Sequence, residues 1–263
     1  MLHKEFGLIS IIMAAYNAEK TIELAIESVL NQTYSNFELL VINDCSKDRT
    51  AKLVEAFSAK DNRVRLISNE KNCGVSFTRE HGLEEAKGAW IAVLDSDDAW
   101  APEKLEKQIE LQNRTNADLL FTGSAFMDSD GRPIDWYLHA PEEVTYRQLL
   151  KQNILSNSSA LVRKELYAKY YAVGDGMHED FAIWLSILKE GKKAYGVDEP
   201  LLIYRIAKSS KSGNKVKAAK MNWNTYRYIG LNPVEAAYYE GWYMIKNVIK
   251  YTNIKISGGG KMR

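Results

Sequence analysis

The chain is poor in cysteine, in long apolar runs and in net charge, and each shortage excludes something. Cys45 and Cys73 are the only two cysteines among 263 residues. They supply neither a structural zinc spacing nor a disulfide framework, and fit a reducing compartment. Both are expected to be small buried residues rather than nucleophiles. No stretch approaches the roughly 18 apolar residues of a membrane span, and no signal peptide opens the chain. No G-x-G-x-x-G follows a strand, so the dinucleotide fingerprint is missing. Repeats and low-complexity segments are absent too. Net charge is only +1, and nothing in it points to nucleic acid. That average conceals an asymmetry. From Arg205 onward twelve Lys/Arg accompany two acids, about +10, which leaves about −9 for the residues before it. A basic tail behind an acidic body suggests an anionic partner for the tail.

Apolar residues make up 46% of the chain, enough for a sizeable core. Apolar, β-branched runs at Leu8–Met13, Phe37–Ile42, Val64–Ser68 and residues 89–94 read as buried strands. Between them lie helical patterns: Ile22 to Leu30, Asp48 to Ser58, and a segment running to Lys87 for which Ser76 is the expected cap. Further helices are expected over 103–114 and after His178, and strands over 118–127, 157–162, 194–197 and 201–206. Asp128-Ser129-Asp130-Gly131 is a hairpin-type turn. Alternating strand and helix predicts an α/β fold, a mostly parallel Rossmann-like sheet with helices on both faces. The Ser/Lys/Gly stretch 208–215 is the expected boundary between a catalytic part, 1–206, and a helical tail, 207–263.

One short stretch carries most of the chemistry. Trp90-Ile91-Ala92-Val93-Leu94 ends in Asp95-Ser96-Asp97-Asp98. Three carboxylates within four residues repel one another unless a cation sits among them. Mg²⁺ and Mn²⁺ take oxygen ligands, typically one or two carboxylates plus substrate phosphates. The expected site is therefore a metal and a diphosphate at the carboxyl end of a strand, where open α/β sheets bind ligands. The plainer alternative is an acidic turn capping the helix that begins near Pro102.

Several segments together resemble the family 2 glycosyltransferases of GT-A fold. They are Ser10-Ile-Ile-Met-Ala-Ala-Tyr-Asn17, Ser28-Val-Leu-Asn-Gln-Thr-Tyr34, Val41-Ile-Asn-Asp-Cys-Ser-Lys-Asp48, Asn72-Cys-Gly74 with Arg79, Leu94 to Asp98, and Glu179-Asp180 with Trp184. The resemblance covers about residues 8–206, and its strength lies in the order and spacing of the motifs. The tail, with Lys217-Ala-Ala-Lys220, Trp223, Tyr226-Arg227 and Lys250-Tyr251, resembles bacterial members that build capsule, lipopolysaccharide or teichuronic-type polymers.

The resemblance implies an inverting transfer from a nucleotide diphosphate sugar, most simply a UDP-sugar, to a glycan or lipid-linked acceptor. It assigns Ala14, Ala15, Tyr16, Asn17, Asp44, Asn72, Arg79, Asp95 and Ser96 to the nucleotide. Tyr16 would stack on uracil, Asp44 would accept from the uracil N3–H, and Arg79 would face the diphosphate or base. Asp97, with Asp98 beside it, would hold Mn²⁺ or Mg²⁺, and Asp95 would reach the ribose or a metal-bound water. Asp180 would be the general base, with Glu179 in reserve, and Trp184 would floor the acceptor site. Each has a plainer alternative: a loop tyrosine, a strand-closing Asp, a solvated helix Arg, carboxylates favoured by a helix dipole, a core Trp. His178 has no assigned partner.

Two other classes compete. A sugar-1-phosphate nucleotidyltransferase would carry a Gly-rich, basic loop after its first strand, where this chain has Ala14-Ala15-Tyr16-Asn17. A non-catalytic nucleotide-sugar binder would have no use for Asp95, Asp97 and Asp180. Pro233 splits the tail into helical pieces near 215–229 and 234–251. Its aromatic and basic residues suggest a peripheral helix pair on the cytoplasmic face of an anionic membrane. The alternatives are that the apolar face packs back on the catalytic part, or that it pairs with a second copy as a homodimer. The 208–215 loop would fold over the donor.

Overall fold

The computed structural model describes residues 6–171, 174, 176–206 and 215–257. The first half alternates β1 (Ile9–Ala15), α1 (Ile22–Leu30), β2 (Phe37–Asn43), α2 (Thr50–Ser58), β3 (Val64–Ser68), α3 (Val75–Glu85) and β4 (Trp90–Val93). β5 (Ala99–Trp100), α4 (Lys104–Thr115), β6 (Leu119–Met127), β7 (Pro133–Leu138), β8 (Glu143–Val144) and α5 (Tyr146–Lys151) follow. The last part runs through a 3-10 turn (Asn157–Ser159), β9 (Leu161–Arg163), α6 (Lys164–Tyr170), α7 (Glu179–Lys189), β10 (Ala194–Arg205), α8 (Lys215–Tyr228) and α9 (Pro233–Ser257).

Among the described residues, all ten strands join one sheet, ordered β3-β2-β1-β4-β9-β6-β10-β5, with β7 on β6 and β8 on β10. The long ladders, β1 with β2, β2 with β3, β1 with β4 and β10 with β6, are parallel. The antiparallel pairings, such as β9 between β4 and β6, are short. Chain order reverses between β1 and β4, so the ends of those two strands open a crevice.

The strands are apolar throughout because both sheet faces are covered. Ile12, Ile42 and Val93 face one core, with Phe181, Trp184, Leu185 and Tyr226. Ile11, Met13, Val41 and Ala92 face the other, under α1 and α4. The tail helices belong to the first core: Tyr226, Ile229, Leu231 and Ala236 are buried in it, and Tyr226 Oη donates to Leu150 O at 2.6 Å.

Three local expectations are corrected. Gly74 precedes α3, at φ +85°, and Ser76 lies inside the helix. Residues 157–162 are a 3-10 turn and a short strand, because the Asn-Ser-Ser side chains favour a turn over a ladder. The two closing strands are one, β10, with a register shift between Val197 and Leu202. The 208–214 stretch lies outside the described residues.

Candidate active site

The acidic turn is held from behind by the end of β10. Asp98 Oδ1 accepts from Arg205 N at 2.9 Å, and Arg205 Nε donates to Asp97 O at 2.8 Å. Asp98 is thereby turned away from the crevice and buried, so it does not stand beside Asp97 as a ligand. Burial, then the charges of Asp95 and Asp97, push its carboxyl well above the usual range. Its Oδ2 has no partner among the described residues. Burial and the Asp95 charge raise Asp97 as well. Charges crowded this way favour a cation, so the acidic turn fits a divalent metal. Among the described residues no three His, Cys, Asp or Glu side chains form a ready-made cage.

Asp95 and Glu179 are joined across the crevice by one side chain. Arg79, from α3, donates through Nη1 to Glu179 Oε1 at 2.5 Å and through Nη2 to Asp95 Oδ1. Its guanidinium is almost wholly buried. Burial opposes its charge, but Asp95 and Glu179 outweigh that and hold it firmly protonated. The expected solvated or diphosphate-facing arginine is therefore a strut between the end of β4 and the start of α7. Glu179 and Asp180 form the first turn of α7, where a helix favours carboxylates. Burial raises Asp180, against the pull of His178 and Arg79. His178 N donates to Thr225 Oγ1 at 3.1 Å, tying this turn to α8.

The loop after β1 is clamped to the loop after β2. Asn17 N donates to Ser46 Oγ at 3.0 Å, Lys47 N to Asn17 Oδ1 at 2.8 Å, and Ala18 N to Thr50 Oγ1 at 2.8 Å. Asn17 and Cys45 both take positive φ, 51° and 59°, an uncommon conformation for a side-chain-bearing residue. Cys45 and Cys73 are half-buried, less enclosed than expected. Asp44 lies beneath. Its Oδ1 accepts from Cys73 N at 2.8 Å and Asn69 Nδ2 at 2.9 Å, its Oδ2 from Gly74 N at 2.9 Å. Burial alone would raise this carboxyl; the hydrogen bonds win and lower it. Asn72 Nδ2 donates to Asp44 O at 3.3 Å.

These parts enclose a cavity of about 790 Å³. Ala14, Tyr16, Asn17, Arg79, Asp95, Ser96, Asp97, Glu179 and Asp180 all line it. Tyr16 stands half-exposed at its edge. Ala15, Asp44 and Asp98 do not line it, since each is buried in the protein behind, and Asn72 is exposed outside it. Trp184 does not reach it either: it is fully buried, packed on Tyr167 with ring centroids 5.9 Å apart. α7 winds Trp184 onto its core face, four residues after Asp180. Sequence reasoning missed the far wall: Phe126, Leu138, the 153–157 segment, His178, Tyr204, and the tail residues Met221 and Tyr243. The run of Asn and Ser at 153–159 was a readable loop signal; for Met221 and Tyr243 the sequence held none.

Residues 10–170 match the profile described as glycosyl transferase family 2. A putative teichuronic acid biosynthesis glycosyltransferase of Bacillus subtilis, TuaG, is 39% identical over 84% of this chain and 88% of its own. An Escherichia coli protein is 36% identical over 93% and 95%. It is named UDP-Glc:α-D-GlcNAc-diphosphoundecaprenol β-1,3-glucosyltransferase WfgD. Among solved structures, S. aureus TarS 1–349 in complex with UDP-GlcNAc superposes with a TM-score of 0.69 at 21% identity, covering 87% of this chain and 69% of that one. A Pyrobaculum calidifontis mannosyltransferase with GDP-Man and Mn²⁺ gives 0.67 at 15%, covering 89% and 68%. With that profile, those relatives and this sheet, the chain belongs to the family 2 glycosyltransferases and has the GT-A fold.

Proposed function

We propose that this enzyme transfers a sugar from a UDP-sugar, with inversion, to a hydroxyl of a lipid-linked glycan during synthesis of a bacterial surface polysaccharide. One observation carries the reading: Asp95 and Asp97 on one wall and Glu179 and Asp180 on another share a single cavity, with Arg79 bridging the walls. The volume is of the size that encloses a small-molecule ligand. The names of TuaG and WfgD point to the polymer and the lipid-linked acceptor. WfgD's name and the TarS complex point to the UDP-sugar.

Tyr16 offers its ring to the base, and the small Ala14 lets backbone approach the nucleotide. Asp44, behind the cavity wall, acts on the nucleotide by fixing the loop, through its bonds from Asn69, Cys73 and Gly74. Asp97, with Asp95, would hold Mn²⁺ or Mg²⁺, which neutralises charge on the departing diphosphate. Asp180 accepts the proton of the acceptor hydroxyl as that oxygen attacks the anomeric carbon from the side opposite the leaving group. A raised carboxyl is a better proton acceptor than an ordinary one. Asp180→Asn should abolish transfer while UDP binding stays near wild type. Turnover of the variant at wild-type rate would remove Asp180 as the base. UDP binding that is indifferent to EDTA would remove the metal.

The tail makes the enzyme peripheral on the inner face of the cell membrane. Val234, Tyr238, Trp242 and Ile245 form an exposed stripe on α9, while Ala236 and Glu240 are buried on the opposite side. No helix among the described residues is long and apolar enough to cross a membrane, so the stripe lies on the surface.

A further inference from the structure

The 3-10 turn at 157–159 is tied down on every side but one. Ser158 Oγ accepts from Asp95 N at 3.2 Å, and Ser158 O from Trp100 Nε1 at 2.7 Å. Ser159 O accepts from Gln108 Nε2 at 2.9 Å, and Ser159 Oγ donates to Ser156 O at 2.7 Å. Asn157 O accepts from Ala160 N at 3.1 Å. The exception is the Asn157 side chain. It is more than nine-tenths buried and lines the cavity. Neither Nδ2 nor Oδ1 has a hydrogen-bond partner among the described residues. Four residues earlier, Asn153 also lines the cavity, and its Oδ1 is likewise unpartnered. Buried amides are almost always satisfied, and leaving one unpaired is costly. The turn's backbone is rigid, so the amide has no easy route to another partner.

We propose that Asn157 reads a sugar ring at the reaction centre, with its amide taking two neighbouring hydroxyls and Asn153 Oδ1 accepting from a third. The chemistry selects the ligand. A phosphate only accepts and would strand Oδ1. A metal ion only binds acceptors and would strand Nδ2. A hydroxyl pair satisfies both, since one oxygen accepts from Nδ2–H while the other donates to Oδ1. The turn's bond to Asp95 N places it beside the carboxylates that face the donor. The sugar is the one being transferred or the one receiving it. This inference rests on the reading of the enzyme as a transferase of nucleotide-linked sugars.

Asn157→Leu keeps the heavy-atom count and branching, in a somewhat larger volume that the adjoining cavity can take, and removes both polar atoms. Its melting temperature should equal or exceed that of wild type, because no internal hydrogen bond is lost. Binding of bare nucleotide should not change. The two sources then separate by calorimetry and kinetics, using whichever UDP-, GDP- or dTDP-linked hexose wild type binds best. If Asn157 reads the transferred sugar, Asn157→Leu loses about tenfold or more of the affinity that the sugar adds over bare nucleotide. If it reads the receiving sugar, nucleotide-sugar affinity and hydrolysis by water persist. The acceptor KM for a GlcNAc-diphosphate bearing a short alkyl tail then rises about tenfold or more. Asn157→Ser, which opens space instead of filling it, should give the same pattern.

A Leu variant matching wild type in all these readouts would overturn the inference. So would a Leu variant that melts several degrees lower while Asn157→Ser binds and turns over normally. Wild type that binds a GDP- or dTDP-linked sugar but no UDP-sugar would instead sink the UDP assignment, and Asn157 would be tested with that sugar.

Discussion

Arg79 has a consequence at the scale of a single residue. Glu179 is buried and its carboxylate faces the guanidinium. Removing one partner of a buried pair leaves an uncompensated charge, which typically costs about 3–5 kcal/mol. Arg79→Met should therefore lose about 3–5 kcal/mol by urea denaturation. It should also lose transfer activity, since Asp95 and the first turn of α7 are no longer held together. Arg79→Lys should recover less than half of that stability, because an ammonium cannot fork to two carboxylates on opposite walls. A Met variant within about 1 kcal/mol of wild type would mean the strut is dispensable, since that is the scale of an exposed pair. The carboxylates of the site were legible in the sequence because their clustering is local. Arg79 was legible as a site residue but not as a strut, since its partners lie 16 and 100 residues away. Trp184 was misread because i, i+4 spacing assigns a shared helix side without saying whether that position faces cavity or core. Asn157 was invisible for the same reason: an unsatisfied amide is defined by what surrounds it in space.

At the scale of an element, Asp44 decides how α3 begins. Gly74 takes a positive φ, and this lets its N–H and that of Cys73 point at one carboxylate. Asp44 thus does for α3 what Ser76 was expected to do, from another strand. The sign of its pH effect follows from its lowered pKa. The unfolded chain binds the proton more readily than the folded one. The stabilisation is therefore complete above the unfolded value near 3.8, and is lost as pH falls through the lower folded value. Asp44→Asn should be less stable than wild type at neutral pH, by about 1–3 kcal/mol for charge-assisted bonds. The two proteins should converge once the pH has fallen through the folded value, which paired urea titrations would measure. A gap that stays constant down to that pH would show that the charge plays no part.

Elements with a clear local signal were legible: α1 follows its apolar spacing, β3 its apolar run, and the two tail helices divide at Pro233. The short ones, β5, β8 and α5, have too few residues to carry a period, and only the neighbouring strands and helices define them.

Over the whole molecule, the tail shows two apolar faces with different fates. Tyr226, Ile229, Leu231 and Ala236 complete the core beside Phe181, so the helices are structural. Tyr226→Ala should cost about 3–5 kcal/mol, the usual range for a large buried aromatic. Cutting the chain near Ile206 would expose that core, and a truncated protein would report unfolding rather than membrane affinity. Surface substitutions on the full chain avoid this. Tyr238→Glu with Trp242→Glu gives up the Tyr238–Tyr239 ring contact and the Lys151 ammonium over Trp242 but no buried core, and should lower the melting temperature only slightly. Amphipathic rings settle at the headgroup level, and each Lys or Arg near an anionic leaflet adds about 1 kcal/mol. Full-length protein should therefore float with anionic vesicles at low salt and much less with neutral ones. The double variant should stay in the soluble fraction, and added salt should release wild type. Sedimentation of both proteins without lipid separates the competing occupant: if the stripe pairs two copies, wild type runs as a dimer and the variant as a monomer. Wild type that stays with neither vesicle type, or a double variant that floats as well as wild type, would mean the stripe does not bind membrane.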